Sequence, residues 1–408
     1  MIVKIDYILL IIIEDKMKKI RLVLIALILM TFAYASTFPI VNYESDINPN
    51  QDTLQSMTET LHKGIPDSAY PGFVFLGAKD GQVFYYENGG NFTYDNSSKP
   101  MEKTTIFDMA SITKVMSTTI AAMLLYDKGK LDLDQKVAGI LPGFSANGKE
   151  NVTFRHLLTH SSGLPAWNPL FKNTDNPEKI NSSDEMVEKL LNLPLQQPAG
   201  EKTVYSCMGF ITLGKAIEKI TGKNLDEYVV ENIYKPLGMN HTFYNPDEKY
   251  YSQIAPTEID STRGGVLQGK THDENGYYLN GISGNAGLFS TAEDIAIFCQ
   301  MMLNKGTHNG VKIFKPETVE LFTKLHQVGE NQSRGLGWQK PTGENSAGKY
   351  FSPASFGHTG YTGTALWIDP EKQLFGIFLT NRVYPSRNRH NLYKFRSKVF
   401  DKLQKALE

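Results

Sequence analysis

Strand-like segments lie near both ends of this 408-residue chain, and helical patterns occupy the region between them. Near the start, the apolar runs 72–77 and 82–86 flank Lys79-Asp80-Gly81, which is typical of a hairpin because Asp-Gly accommodates positive φ. Near the end, the runs 364–368 and 374–380 are separated by a Pro-containing turn. The sequence therefore predicts an α/β domain assembled from both ends of the chain, with a mostly helical domain inserted between them.

A change of hydrophobic period separates the two parts. Apolar residues recur at helical spacing from Ser111 until Gly129 ends the run, which predicts a mostly buried helix. The predicted organisation is a signal peptide at 17–35, a linker and first helix at 36–67, the first part of the α/β domain at 68–130, the helical domain at 131–280 and the second part of the α/β domain at 281–408.

The N-terminal residues resemble a secretory signal. A positively charged start at 17–21 precedes an apolar run at 22–32 and the small-residue pattern Ala33-Tyr34-Ala35. This arrangement predicts export to the periplasm or the extracellular space, with cleavage near Ser36 and no stable membrane insertion afterwards. The alternative is an uncleaved membrane anchor that joins 8–13 to 22–32, but charged residues between these runs disfavour it.

Composition excludes several classes of protein. A formal net charge of -1 without a basic cluster argues against a nucleic-acid partner. The chain contains only two cysteines, Cys207 and Cys299, so a disulfide framework is not expected. We expect a monomeric enzyme that acts on a small-molecule or peptide substrate.

The candidate nucleophile is Ser111, which opens the sequence Ser111-Ile112-Thr113-Lys114 at the start of the predicted helix. Residues three apart share a helix face, so the ammonium of Lys114 can reach the serine hydroxyl. Such a partner activates a weak nucleophile, and the helix N-terminus places N–H groups where an oxyanion would form. The pattern is weak alone, because a helix-capping serine followed by a solvated lysine would look the same.

Two downstream elements strengthen this interpretation. Tyr205-Ser206-Cys207 and then Phe356-Gly357-His358-Thr359-Gly360 follow Ser111 in an order that resembles the serine β-lactamase and penicillin-binding protein superfamily. The class C-like branch, with its DD-peptidases, D-aminopeptidases and esterases, is the most similar. Further similar stretches are 107–110, 156–165, 236–239 and 284–290.

The resemblance implies an antiparallel sheet flanked by helices, no metal and no organic cofactor. It also implies that Ser111 is acylated, that Lys114 is its proton partner, and that Tyr205 passes a proton to the leaving group and later activates water. The backbone N–H groups of Ser111 and Tyr361 would form the oxyanion hole. The implied substrate-binding residues are Cys207, His358, Thr359, Gly360 and Tyr361. The resemblance does not decide whether Lys114 or Tyr205 is the base in the resting enzyme.

Two positions depart from the pattern that the resemblance implies. Cys207 stands where the family usually has Asn, and a thiol is a poor substitute for an amide as a hydrogen-bonding group. His358 stands where many β-lactamases have Lys, and a neutral imidazole attracts a carboxylate less strongly. We therefore predict a D-alanyl or D-amino-acid peptidase or an esterase, with weak β-lactamase activity. An arginine such as Arg263 or Arg334 would supply the missing positive charge.

Two alternatives remain. A non-catalytic protein that senses penicillin or muropeptides would explain the loss of the Asn at Cys207. A metallohydrolase would use His156, His160 and His272, because the first two are four residues apart on one predicted helix face.

Overall fold

A computed structural model describes residues 46–176, 178–329, 332–342, 345–389 and 391–408. The predicted signal peptide, the alternative anchor and the first part of the linker lie outside these residues. The described residues form one compact unit, and the domain boundaries at 131 and 280 stay predictions. No helix within the described ranges has both the length and the apolar composition to cross a membrane.

The strands and helices are as follows. The strands are β1 (Gly72–Lys79), β2 (Gln82–Gly90), β3 (Phe107–Asp108), β4 (Phe243–Tyr244), β5 (Ile259–Asp260), β6 (Gly265–Val266), β7 (Leu288–Ser290), β8 (Thr307–His308), β9 (Val311–Lys312), β10 (His326–Val328), β11 (Gln332–Arg334), β12 (Phe356–Thr359), β13 (Ala365–Asp369) and β14 (Leu374–Thr380). The α-helices are α1 (Gln51–Lys63), α2 (Ile120–Asp127), α3 (Phe154–Leu158), α4 (Ser183–Asn192), α5 (Cys207–Thr221), α6 (Leu225–Val229), α7 (Lys235–Leu237), α8 (Glu274–Tyr278), α9 (Ala292–Leu303), α10 (Pro316–Thr323) and α11 (Tyr393–Lys405).

The main sheet has the strand order β12-β13-β14-β1-β2, and every neighbouring pair is antiparallel. Its central pair joins the two ends of the chain, with Phe73 of β1 opposite Thr380 of β14. The α/β class with an antiparallel sheet flanked by helices is therefore confirmed. Strand β12 is at one edge of the sheet, next to the turn that carries Ser111.

Helices cover both faces of this sheet. Helices α1 and α11 pack together on one face, where Phe75 contacts both Phe378 and Phe400 at ring-centroid distances of 5.8 Å. Helix α9 packs on β1 and β14, against the alternate side chains that point the other way. Gly376 lets α11 approach closely, because a β-carbon there would lie 2.7 Å from Leu403. The buried sheet thus gives β12 a rigid base.

The predicted helix from Ser111 to Gly129 consists of three pieces. A 3₁₀ turn at Ala110–Ile112 precedes a π-helical stretch at Lys114–Thr119, and α2 follows at Ile120–Asp127. Widened turns of this kind are frequent at functional sites. The widened stretch begins at Lys114 itself.

Candidate active site

The structure brings Ser111 and Lys114 into direct contact. The Lys114 Nζ atom is 3.0 Å from Ser111 Oγ and 2.9 Å from the backbone carbonyl oxygen of Asn285. Lys114 is fully buried, so its hydrogen bonds replace the water it has lost. The pair has the geometry that serine activation requires.

Tyr205 is the third member of the cluster. Its ring centroid lies 5.0 Å from Lys114 Nζ, and its phenol interacts with the side chains of both Ser111 and Lys114. The N-terminus of α5 fixes this position, since the Ser206 hydroxyl caps Gly209 N–H and His160 Nδ1 accepts the Ser206 N–H. The candidate nucleophile, lysine and tyrosine therefore meet at one point.

Burial controls the protonation of the cluster. It raises the pKa of Tyr205 above its ordinary value, although the positive charge of Lys114 acts in the opposite direction. Burial also lowers the pKa of Lys114, whereas negative charge on the neighbouring Cys207 or Tyr205 raises it, and the net shift is upward. The resting site therefore holds an ammonium and a neutral phenol. Lys114 thus acts to depress the Tyr205 pKa, but burial outweighs its effect.

Cys207 begins α5 and lies beside the lysine, with its Sγ atom 3.6 Å from Lys114 Nζ. Burial raises the pKa of this thiol, so the neutral form prevails. Sequence reasoning missed Asn285, whose side chain interacts with the Cys207 thiol and whose carbonyl oxygen accepts from Lys114. Asn285 thus offers an amide next to the position where Cys207 lacks one. Its place in the Gly-rich stretch 284–290 was the only sequence signal.

His358 lies on β12, fully buried, with its ring centroid 5.9 Å from that of Tyr205. Its Nδ1 hydrogen-bonds with the Thr359 carbonyl oxygen at 2.8 Å, so Nδ1 carries the proton and Nε2 is an acceptor. Nε2 has no hydrogen-bond partner among the described residues. Burial, together with the charges of Arg334 and Lys114, lowers the pKa of His358 well below its ordinary value. His358 is therefore neutral near pH 7, as predicted.

The end of β12 packs directly against the turn before Ser111. A β-carbon at Gly360 would lie 2.5 Å from the Met109 carbonyl oxygen, so this position requires glycine. Tyr361 follows, with 45% of its side chain exposed. Tyr361 and Ser111 thus lie on two segments that touch.

Two cavities lie beside these residues. One, of about 340 Å³, is lined by residues that include Ser111, Trp167, Tyr205, Cys207, His272 and Tyr361. The other, of about 480 Å³, is lined by residues that include Arg334, Gln339, Lys340, Thr359, Tyr393 and Arg396. We call them the serine cavity and the arginine cavity.

Of the two arginines that the sequence suggested, Arg334 is the one beside the site. It lines the arginine cavity together with Thr359, and its guanidinium carbon is 6.0 Å from the Tyr205 ring centroid. Arg263 instead pairs with Asp260 at 2.7 Å and donates to the His272 carbonyl oxygen. The charge of Arg263 is thus already matched within the fold.

The three histidines of the metal alternative have separate partners. His156 Nδ1 accepts the Thr153 N–H, His160 Nδ1 accepts the Ser206 N–H, and His272 Nε2 bonds with Glu258 at 2.9 Å. His160 follows the end of α3 with a φ of 56°, so it does not share a helix face with His156. No group of three or more His, Cys, Asp or Glu side chains within the described residues is placed to hold a metal.

Comparison with known proteins adds three findings. Residues 53–398 match the family model Beta-lactamase. The chain is 35% identical over 399 residues to a protein of Escherichia coli (strain K12) that is provisionally named a D-alanyl-D-alanine carboxypeptidase, covering 90% of this chain and 91% of that relative. It is 36% identical over 373 residues to the N-acetylmuramyl-L-alanine amidase of Bacillus subtilis (strain 168), covering 82% and 83% of the two chains.

A solved structure has the same fold. EstCE1, a hydrolase with promiscuous acyltransferase activity, superimposes with a TM-score of 0.70 at 21% identity, over 87% of this chain and 99% of its own. This similarity extends over nearly all of the described residues.

Proposed function

Since this chain belongs to the beta-lactamase family, and is thus a serine hydrolase related to D-alanyl-D-alanine carboxypeptidases and esterases, we propose that it is an exported peptidase that forms an acyl-enzyme at Ser111. Its substrates are D-alanyl or other D-amino-acid peptides, with esters as weaker substrates and β-lactams as poor ones. The signal-like residues 17–35 support export.

The observation that carries the proposal is the 3.0 Å contact between Ser111 Oγ and Lys114 Nζ, with the Tyr205 ring centroid 5.0 Å from the same ammonium. In the first step a bond forms between Ser111 Oγ and the substrate carbonyl carbon, and the C–N bond breaks. The serine proton passes through the Lys114–Tyr205 pair to the leaving amine. Water then cleaves the resulting ester and returns the proton to Ser111.

Because Lys114 rests as an ammonium and Tyr205 as a phenol, one of them must release a proton before the serine can lose its own. The identity of the resting base stays open.

The arginine cavity supports a substrate that ends in a carboxylate. Arg334 and Thr359 line it together, and a planar guanidinium binds a carboxylate in a bidentate manner. The name of the Escherichia coli relative fits such a peptide, and the name of the Bacillus subtilis relative fits a cell-wall amide. The proposed substrates are therefore peptides that end in D-alanyl-D-alanine.

The test combines labelling with turnover. A fluorophosphonate probe or labelled penicillin, followed by peptide mapping, should place one adduct on Ser111, and release of D-alanine from an acylated D-alanyl-D-alanine peptide should be measurable. Ser111→Ala should remove both signals. An adduct on any other residue, or D-alanine release that survives in Ser111→Ala, would refute the proposal.

One observation favours a second candidate, a non-catalytic sensor of penicillin or muropeptides. Cys207 replaces the amide that the family uses, and the raised pKa of Tyr205 disfavours the phenolate. A sensor would form the Ser111 adduct stoichiometrically and keep it, with no D-alanine released. Turnover of even a few peptides per enzyme molecule would exclude this alternative.

A further inference from the structure

Asp108 is a buried carboxylate beside the serine cavity to which the proposed reaction assigns no role. It ends β3, three positions before Ser111, and is only 2% exposed. Its two oxygens accept one local and one distant backbone N–H group, Oδ1 from Ala110 at 2.7 Å and Oδ2 from His272 at 2.8 Å. Burying a carboxylate is costly, so both hydrogen bonds are needed to offset the lost water.

The first of these bonds holds a strained turn. Ala110 has a φ of 45°, in the left-handed region that residues with a β-carbon rarely adopt. Such a conformation persists only where surrounding contacts fix it. Because Ala110 directly precedes Ser111, the bond from Asp108 helps to fix the direction of the serine N–H.

Backbone carbonyl groups of the same segment hold the loop after β12. The Asp108 carbonyl oxygen accepts from Thr362 Oγ1 at 2.7 Å, and the Met109 carbonyl oxygen accepts from Thr364 Oγ1 at 3.2 Å. Thr362 directly follows Tyr361, the second residue whose N–H is assigned to the oxyanion hole. Residues 108–109 thus contact both sides of that hole.

The second carboxylate bond acts on Tyr361 through His272. The Tyr361 ring stacks on the His272 ring with centroids 5.7 Å apart and contacts the Arg382 guanidinium at 4.6 Å. The His272 ring is itself held by Glu258 at 2.9 Å. The His272 backbone is therefore fixed by Asp108, and its ring supports Tyr361.

We propose that Asp108 is a positioning residue that sets the separation of the Ser111 and Tyr361 N–H groups and thereby preorganises the oxyanion hole. The inference rests on the proposed acyl-transfer function. Preorganised donors stabilise the transition state more than the bound substrate, so their misplacement lowers kcat and leaves KM nearly unchanged.

Asp108→Asn is the decisive variant, because it keeps the shape but turns one acceptor into a donor that faces an N–H group. We expect kcat for the D-alanyl-D-alanine peptide to fall at least tenfold, with KM within twofold of the wild-type value. The affinity for phenylboronic acid, which forms a tetrahedral adduct on the serine, should fall by a similar factor in calorimetry.

Asp294→Asn is the matched control. Asp294 is also buried and accepts a backbone N–H from His241 at 2.7 Å and the Thr242 hydroxyl at 2.8 Å, but it does not line the serine cavity. We expect Asp294→Asn to lower Tm while kcat and boronate affinity stay within twofold of wild type.

The inference is overturned if Asp108→Asn lowers Tm as Asp294→Asn does and keeps wild-type kcat and boronate affinity. Should Asp108→Asn fail to fold, Thr362→Val removes one donor to residue 108 without changing side-chain size, and we expect a loss of kcat of about threefold or more. Boronate binding needs no turnover. Wild-type enzyme that binds phenylboronic acid but releases no D-alanine would therefore refute the proposed substrate and leave this inference testable.

Discussion

The serine cavity and the arginine cavity differ in whether their charged side chains have partners within the described residues. In the serine cavity, Arg387 pairs with Glu274 at 2.7 Å and with Glu258 at 2.6 Å, and Lys114 donates to Ser111 and to the Asn285 carbonyl oxygen. The described lining of the arginine cavity contains three cationic residues, Arg334, Lys340 and Arg396, and no carboxylate.

The difference extends to single atoms. Arg334 Nε and Nη2 and Arg396 Nε are buried and have no hydrogen-bond partner among the described residues. Burial lowers the pKa of both arginines to about 10, which leaves them charged at neutral pH. A buried charge without a partner is costly. The presence of these two arginines therefore indicates that a negatively charged ligand binds beside them. We infer that one cavity serves the reaction and that the other holds an anionic part of the substrate.

The largest expected effect is a loss of hydrolysis without a loss of peptide binding. Ser111→Ala should lower hydrolysis by about 10³-fold or more, because the nucleophile is lost. The peptide carboxylate should still bind in the arginine cavity, so Kd for the intact peptide in calorimetry should change less than threefold. Lost binding together with a lost cooperative unfolding transition would show that Ser111 has a structural role instead.

Lys114→Ala should cost activity on the same scale as Ser111→Ala, because the two side chains act as a unit. The double variant should be no worse than the poorer single variant. A double variant that is much worse would show that the serine cavity contains two independent catalytic groups.

The next effect belongs to the arginine cavity. Arg334→Met should lower kcat/KM for a peptide with a free terminal carboxylate by about 10- to 100-fold, since a buried charge-assisted pair is lost. The methyl ester of the same peptide should lose less than threefold. The variant should also unfold at a higher temperature, because an unmatched buried charge is removed.

Arg263→Met is the control for this prediction. Arg263 is also largely removed from solvent, but its charge is paired with Asp260. Its loss should lower Tm and leave the preference for the carboxylate over the methyl ester unchanged. Equal loss of preference in both variants would contradict the assignment of the arginine cavity.

Much of the serine cavity was predictable. For the arginine cavity the sequence suggested Thr359 and either Arg263 or Arg334, but it could not decide between the two arginines. Ser111 and Lys114 are three residues apart, so local helical geometry brings them together, and the order of the Tyr205 and His358 elements is visible in the chain. The antiparallel sheet joining both chain ends was predicted as well. Arg334 and Thr359 line one cavity from different strands, and Asn285 interacts with Cys207 from a distant part of the chain. Such contacts depend on tertiary packing, which spacing does not encode.

His358 lies on β12 next to Thr359, which lines the arginine cavity, and its ring is 5.9 Å from Tyr205, which lines the serine cavity. His358→Lys should raise turnover of a chromogenic cephalosporin by about tenfold, because a unit charge at an effective dielectric of 20 outweighs a neutral ring. Wild-type turnover should be poor and should not rise when the pH falls to 5.5, since the lowered pKa keeps His358 neutral. Efficient wild-type turnover that is flat over this range would contradict the need for a charge at residue 358.

The same histidine gives a prediction on stability. Its folded-state pKa is well below the unfolded value of about 6.5, so the unfolded chain takes up the proton first as the pH falls. Its contribution to stability is therefore full above pH 6.5 and is lost below it. The difference in unfolding free energy between wild type and His358→Gln should shrink by about 1.4 kcal/mol per pH unit, measured by urea denaturation from pH 7 to 5. A constant difference would place a proton on the folded imidazole.

Cys207→Asn should have the smallest effect. The amide would restore the family's group beside Lys114, so turnover of acylamino peptides should stay equal or rise a few-fold, measured as D-alanine release. Ester hydrolysis serves as the control and should not change. Lower peptide turnover with unchanged ester turnover would show that the serine cavity has been reshaped around the thiol and Asn285.

The pairing of β1 with β14 at the centre of the sheet governs how the protein acquires its fold. β1 is apolar along its length and has β2 as an early partner, but its other edge stays unpaired until residues 374–380 are available. Contacts of such long sequence separation slow folding, and an open apolar edge promotes association between unfinished chains. Because β14 is synthesised late, the chain must stay unfolded, or be protected from association, until this last strand is available.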